Sequence, residues 1–141
     1  PQESVAVWDC TGDTVTAQWG EVMTMAAKRR GCRGAVVNGV RDVARILPLD
    51  FPVFYRYRTS SGMYGRFRIV DHGVPVRIGE TLIHPGDFIV GDIDGLVVVP
   101  KDLVVEVLEK AEAILNREAE VKGWVESGLS PTEVTRKGGY F

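Results

Sequence analysis

The chain has 141 residues, 45% of them hydrophobic and 26% charged, a balance that predicts one compact domain with an ordinary core and excludes a fibre or a disordered tail. A formal net charge of -2 and a pI near 5.7 supply no broad positive field, so a nucleic-acid partner is not expected. No apolar run approaches the roughly 18 residues of a membrane span, and residues 1–20 lack the layout of a signal peptide, so no membrane association is expected either.

Residues 4–8, Ser-Val-Ala-Val-Trp, read as a buried strand ended by the turn "DCTGD". From Thr14 to Arg30 apolar or small residues recur at helical spacing, with Gly31 as C-cap and with Gly20 either interrupting the helix or opening it late. Its basic end, Lys28, Arg29 and Arg30 with Arg33 beyond, complements the helix dipole. Residues 34–38 give a second strand, Asn38-Gly39 a tight turn, and "RDVARIL" a short helix from about 41 to 47. Strand, helix, strand, helix suggests a parallel unit.

The second half has another rhythm. "FPVFYRY", "GRFRIVD", "VPVRIG", "ETLIH", "DFIVGD" and "GLVVVP" read as short strands between Gly, Pro and Asp turns, as in an antiparallel or barrel-like sheet. Beyond Pro100, apolar residues at 103, 104, 107, 108, 111, 114 and 115 keep one helical face, a face that could pack within the domain or across a subunit boundary. "SPTE", residues 130–133, has the layout of a capping box and predicts a last short helix.

Cys10 and Cys32 are the only cysteines. Without a CxxC pair or a histidine cluster they indicate neither a disulfide framework nor a zinc site, and a cytoplasmic setting is the simpler expectation. His72 and His84 stand apart, and Asp87, Asp92 and Asp94 read as turn acids because the ordered pattern of a calcium loop is missing. No GxSxG elbow, GxxxxGK loop or HExxH helix occurs, which removes the common hydrolase, nucleotidase and zincin readings. "GRFRIV" alternates aromatic and basic residues, weak support for a single-stranded nucleic-acid face.

The exit of the second strand is the best candidate site, since ligands of open α/β folds gather at the carboxyl ends of strands. Arg41 offers a permanent planar fork of donors, suited to a carboxylate or an oxyanion, and Asp42 offers a hard oxygen of the kind Mg²⁺ or Mn²⁺ accepts. The alternative is that Asp42 is a helix-capping acid and Arg41 a surface cation. In "WGEVM", Gly20 would let the amides of Val22 and Met23 cradle an anion, with Glu21 as a local base; alternatively Gly20 packs on a strand and Glu21 is simply exposed. Residues 58–66, "RTSSGMYGR", could line the distal part of such a pocket or form a hairpin tip.

Taken in order, "WGEVMTMAAKRRGCRGAVVNGVRDVARI", "FPVFYR", "VPVRIGETLIHPGDFIVGDIDGLVVVP", a long Glu-rich helix and "SGLSPTEVTRKGGYF" resemble the family of the 4-hydroxy-4-methyl-2-oxoglutarate aldolases. That family also holds the regulator of ribonuclease activity A and many oxaloacetate decarboxylases. The resemblance runs from about Val5 over nearly the whole chain. It implies an α-β-β-α fold with a central barrel-like mixed sheet, assembled as trimers or hexamers with sites between subunits. In the aldolase branch it implies Arg41 on the keto oxygen of pyruvate, Asp42 as anchor of Mg²⁺ or Mn²⁺, and Gly20, Val22 and Met23 on the pyruvate carboxylate. Glu21 would stand near a proton-relaying water, and Glu118, on the long helix, would complete the site of a neighbouring subunit.

The expected reaction is then C–C cleavage of a 2-oxo acid to pyruvate, as a class II aldolase or oxaloacetate decarboxylase. The alternative is a regulator without catalysis; that branch typically has glutamine where this chain has Asp42. "NGVRD" is one residue shorter than usual between the glycine and the arginine, and Asn38 stands where aspartate is common. The family normally carries several dozen residues before the "VAVWD" strand; the expectation is that they are lost, supplied by another chain, or never present.

Overall fold

The computed structural model describes residues 2–10 and 12–140; Thr11, part of the "DCTGD" turn, lies outside the described residues. The chain divides into two compact units, one up to Val98 and one from Val99 onward.

The first unit is built on a parallel three-stranded sheet in the order β1 (Ser4–Val7), β2 (Cys32–Val40), β3 (Val53–Arg58). Helix α1 (Glu21–Arg29) leads from β1 to β2, and α2 (Val43–Ile46) with a following 3-10 turn (Leu47–Leu49) leads from β2 to β3. This is the predicted parallel crossover pattern. Trp19 holds the core: it stacks on Phe51 with ring centroids 6.4 Å apart, meets Trp8 edge-on, and packs with Ala35, Val37, Val40 and Ile46. Its indole N–H donates to Thr24 Oγ1 at 2.8 Å, so the one polar atom of the buried ring is satisfied.

Two two-stranded sheets follow, β4 (Val76–Ile78) with β5 (Thr81–Ile83), antiparallel, and β6 (Phe88–Asp92) with β7 (Gly95–Val99). Gly91 lets β6 lie against β3, because a Cβ there would stand 2.5 Å from Leu96 and 2.6 Å from the Phe54 ring. The architecture is mixed α/β, as expected from the sequence.

Three expectations are corrected. Residues 14–19 are not helical: Ala17 and Trp19 form bridges to Gly62 and Val40, and the helix opens at Glu21 after Gly20. Asn38-Gly39 is not a turn but the buried end of β2. Residues 65–71, "GRFRIVD", form no strand.

In the second unit a 3-10 turn (Lys101–Leu103) runs into α3 (Val104–Glu126), and α4 (Pro131–Arg136) folds back on its end. The capping box is present: Ser130 Oγ accepts from the Glu133 amide and Glu133 Oε2 accepts from the Ser130 amide at 2.8 Å. Val121 and Val134 are buried, and Trp124 takes Arg117 and Lys137 over its ring, each 4.9 Å from the centroid. The apolar stripe at Leu103, Val107, Leu108, Ile114 and Leu115 is exposed in the single chain. No helix among the described residues is long and apolar enough to cross a membrane.

Candidate functional site

The candidate site is assembled where a short extended segment, residues 16–20, meets the end of β2. The Trp19 carbonyl accepts from the Arg41 amide at 3.0 Å, and the Gly39 carbonyl accepts from the Gln18 amide at 3.0 Å. These bonds bring Gly20 against Arg41 and Asp42. A Cβ on Gly20 would lie 2.9 Å from Asp42 Oδ2 and 3.3 Å from Arg41 Cγ, and a Cβ on Gly62 3.1 Å from Arg41 Nη1. Glycine at residue 20 leaves room for this close approach, which a Cβ would take from the Asp42 and Arg41 side chains; its φ of -161° is open to any residue.

Asp42 stands at the N-cap position of α2, yet its carboxylate makes no capping hydrogen bond. Its backbone is left-handed, φ 57°, and Oδ2 lies 3.2 Å from Arg41 Nε. A capping aspartate has extended backbone and accepts from an amide two or three residues on; Asp42 does neither. Its carboxylate is committed to the cleft side, beside the guanidinium. Left-handed backbone in a residue other than glycine is uncommon and clusters at functional sites.

Gly20 is followed by Glu21, Val22 and Met23, whose amides precede the first intrahelical bond, donated by Thr24 to the Gly20 carbonyl at 3.0 Å. They are free of helical acceptors and sit at the positive end of the dipole. Glu21 Oε2 faces Arg45 Nη1 at 3.6 Å. A cleft of about 410 Å³ opens at the ends of β2 and β3 and the start of α2, lined by Val40, Arg41, Asp42, Val43, Arg58, Thr59 and Ser60.

Of the predicted residues, the first unit brings Gly20, Glu21, Val22, Met23, Arg41 and Asp42 to one place, while Glu118 belongs to α3 of the second unit, 3.9 Å from Lys122 Nζ. The turn acids behave as read: Asp87 accepts from the His84 amide at 2.7 Å and Asp92 from the Asp94 amide at 2.8 Å. Cys10 and Cys32 are free thiols.

Sequence reasoning missed a polar cluster beneath the site. Asp13 accepts from the Val15 amide at 3.1 Å, from the Thr16 amide and hydroxyl, and from the Gln18 side chain. The Tyr57 hydroxyl lies 3.1 Å from Asp13 Oδ2 and 2.9 Å from the Thr16 carbonyl, either of which can accept its proton. Burial pushes the Asp13 carboxyl up, but the hydrogen bonds from Thr16, Val15 and Tyr57 outweigh it and hold it below the usual value. Burial, reinforced by the neighbouring Asp13, pushes the Tyr57 hydroxyl up. Four polar residues, Thr16, Gln18, Thr24 and Asn38, are buried here and nearby, yet among the described residues no buried side-chain polar atom lacks a partner. The signal available in the sequence was "DTVTAQW", polar at every second position of an extended segment.

Among the described residues no three Asp, Glu, His or Cys side chains converge. A divalent ion here would therefore have Asp42 as its protein ligand, with water and substrate oxygens completing the shell, a set Mg²⁺ or Mn²⁺ accepts.

The family model described as "RraA-like: Aldolase/RraA" matches residues 1–98. The chain belongs to this RraA-like family. A relative named "Putative 4-hydroxy-4-methyl-2-oxoglutarate aldolase", from Halalkalibacterium halodurans, is 39% identical over 109 residues, 77% of this chain and 51% of its own length. Protein DlpA of Legionella pneumophila is 36% identical over 134 residues, 91% of this chain and 21% of its own. Among solved structures, Streptomyces coelicolor RraAS2, described as an unusual member of the RNase ES inhibitor RraA protein family, superposes with a TM-score of 0.76 at 30% identity, over 84% of this chain and 61% of its own. The chain thus spans about a fifth of the Legionella relative and about half of the Halalkalibacterium one. RraA-like members carry both aldolase and ribonuclease-inhibitor names, so the site's own chemistry must choose between them.

Proposed function

We propose that this RraA-like chain is a divalent-metal lyase that cleaves the C–C bond next to the pyruvyl end of a 2-oxo acid and releases pyruvate. The observation that carries the reading is the posture of Asp42: at a helix start, left-handed, its carboxylate turned to Arg41 instead of the helix amides.

The substrate's carboxylate docks on the amides of Val22 and Met23, where the α1 dipole favours negative charge. Arg41 donates to the keto oxygen and holds the negative charge that develops there when the bond breaks and an enolate forms. Its planar fork suits the plane of the keto group, and its backbone is anchored by the hydrogen bond that the Arg41 amide donates to the Trp19 carbonyl. Gly20 leaves the space that the carboxyl and keto groups need beside Asp42. Glu21, steadied by Arg45, is the nearby group able to pass a proton to the enolate carbon through water. A divalent ion on Asp42 would add Lewis-acid polarisation of the same keto oxygen. The aldolase names among relatives support a lyase, and Asp42 supports the metal-dependent kind.

Removing a single stabiliser of a developing oxyanion costs roughly 10²–10³ in turnover. Arg41→Ala is expected to lose at least that much pyruvate release with its circular dichroism unchanged, and wild-type turnover in that variant would sink the mechanism.

A second reading, a regulatory binding protein without catalysis, is favoured by the likeness to RraAS2. It predicts no dependence of any activity on Asp42, whereas the lyase reading requires one.

A further inference from the structure

The polar cluster beneath the site includes a residue of the sheet itself. Tyr57, on β3, is the register partner of Gly39 on β2. A Cβ on Gly39 would stand 2.7 Å from Tyr57 Cε2 and 2.2 Å from the Thr16 carbonyl oxygen, so the bare glycine lets the ring reach across β2 to the extended segment 16–20. The Tyr57 hydroxyl lies 2.9 Å from the Thr16 carbonyl and 3.1 Å from Asp13 Oδ2, and Gln18 Nε2 stands 3.4 Å from it.

Segment 16–20 belongs to no strand of the sheet and is attached by isolated bridges at Ala17 and Trp19. The Ala17 amide donates to the Ser61 carbonyl at 2.7 Å, the Gln18 amide to the Gly39 carbonyl at 3.0 Å, and the Arg41 amide to the Trp19 carbonyl at 3.0 Å. The Arg41 bond is the joint between the helix start at Gly20 and the Arg41–Asp42 pair. Asp13 already accepts from the Val15 and Thr16 amides, the Thr16 hydroxyl and the Gln18 side chain, so the Tyr57 hydroxyl is not needed to satisfy it. What the hydroxyl adds is a link from this loop to β3, as Gln18 Oε1 links it to β2 through the Gly39 amide. A tyrosine, with few side-chain torsions, holds its hydroxyl at a set distance from its own strand.

We propose that Tyr57 is a positioning residue: its hydroxyl, held by Asp13 and the Thr16 carbonyl, sets segment 16–20 against the end of β2 and so fixes the separation between the α1 amides and the Arg41–Asp42 pair. It acts through the backbone of this segment and not by contact with substrate. The inference rests on the lyase reading, in which those two poles grip one pyruvyl group and their separation governs turnover.

The test is Tyr57→Phe, which removes the hydroxyl and keeps the ring, read by residue-resolved amide hydrogen exchange and by the kinetics of pyruvate release from oxaloacetate with Mn²⁺. Exchange at the Gln18, Gly39 and Arg41 amides is expected to quicken roughly tenfold. The sheet amides of Ala35 and Trp8, bonded to the Pro52 and Val36 carbonyls, are expected to keep their wild-type rates. In the kinetics, kcat is expected to fall roughly tenfold, with KM changed by less than about threefold, because both poles remain and only their separation is loosened. Exchange that quickens equally at all these amides, or at none, would overturn the positioning role, as would local quickening with kcat unchanged. No pyruvate release by the wild type would overturn the lyase reading and the role of Tyr57 in it, while the exchange pattern would still decide whether the hydroxyl holds the segment. Asp13→Asn, which keeps the hydroxyl and weakens its partner, is expected to give the same local pattern at smaller amplitude. It carries the test, on the same criteria, should Tyr57→Phe lose its folded circular dichroism.

Discussion

Gln18 brackets Gly39 from both sides of its peptide: the Gln18 amide donates to the Gly39 carbonyl at 3.0 Å, and Gln18 Oε1 accepts from the Gly39 amide at 2.7 Å. One residue, through its backbone N–H and its side-chain oxygen, thereby does the work of a missing strand partner, two residues before Arg41. Its amide nitrogen in turn donates to Asp13 and to the Thr16 carbonyl. Gln18→Leu, close in volume, leaves the buried Gly39 amide without an acceptor and is expected to cost roughly 1–3 kcal/mol in urea denaturation. A change below about 0.5 kcal/mol would show that this bracket does not hold the strand end.

Gly20→Ala probes the site without straining the backbone. The added methyl carbon would stand 2.9 Å from Asp42 Oδ2, so Asp42 and Arg41 must shift apart from the helix start. Pyruvate release is expected to fall by roughly 10²-fold, because misplacement of about 1 Å costs that much, while thermal unfolding moves little. Unaltered turnover would mean that the space beside Gly20 is not where substrate sits.

Acid stability should carry the signature of Asp13. Its carboxyl titrates below the usual value in the folded protein, so it contributes stability that is fully present above the unfolded value, about 3.9, and is lost as pH falls through the folded value. Asp13→Asn removes that contribution. The gap in urea midpoint between wild type and Asp13→Asn is expected to be widest near pH 7 and to shrink below about pH 4. A gap that is constant with pH would assign the effect to packing alone.

Much of this was legible in the sequence where the cause is local. The capping box at Ser130 and Glu133, the strands 4–7 and 53–58, and the convergence of Gly20, Arg41 and Asp42 all follow from residue chemistry at short spacing or from the motif order. The misreadings share a non-local cause. Asn38-Gly39 looks like a hairpin turn, but Gly39 is there because the Thr16 carbonyl would lie 2.2 Å from a Cβ and the Tyr57 ring 2.7 Å. Val15 and Trp19 fall at helical spacing by coincidence; their segment is extended because it pairs with Val40 and Gly62, residues far along the chain. "GRFRIVD" has strand propensity and no strand partner. The apolar face of α3 was visible as a pattern, but a pattern does not name what covers it.

Pyruvate release from oxaloacetate and from 4-hydroxy-4-methyl-2-oxoglutarate, measured with Mn²⁺, with EDTA, and in Asp42→Ala, tests the central claim most directly. Release that needs Mn²⁺, stops with EDTA and is lost in Asp42→Ala, with folding intact, is the predicted result. No release from either substrate by folded protein, or release indifferent to Asp42, would contradict it and leave the Arg41 and Asp42 pair a feature of the strand exit without this chemistry.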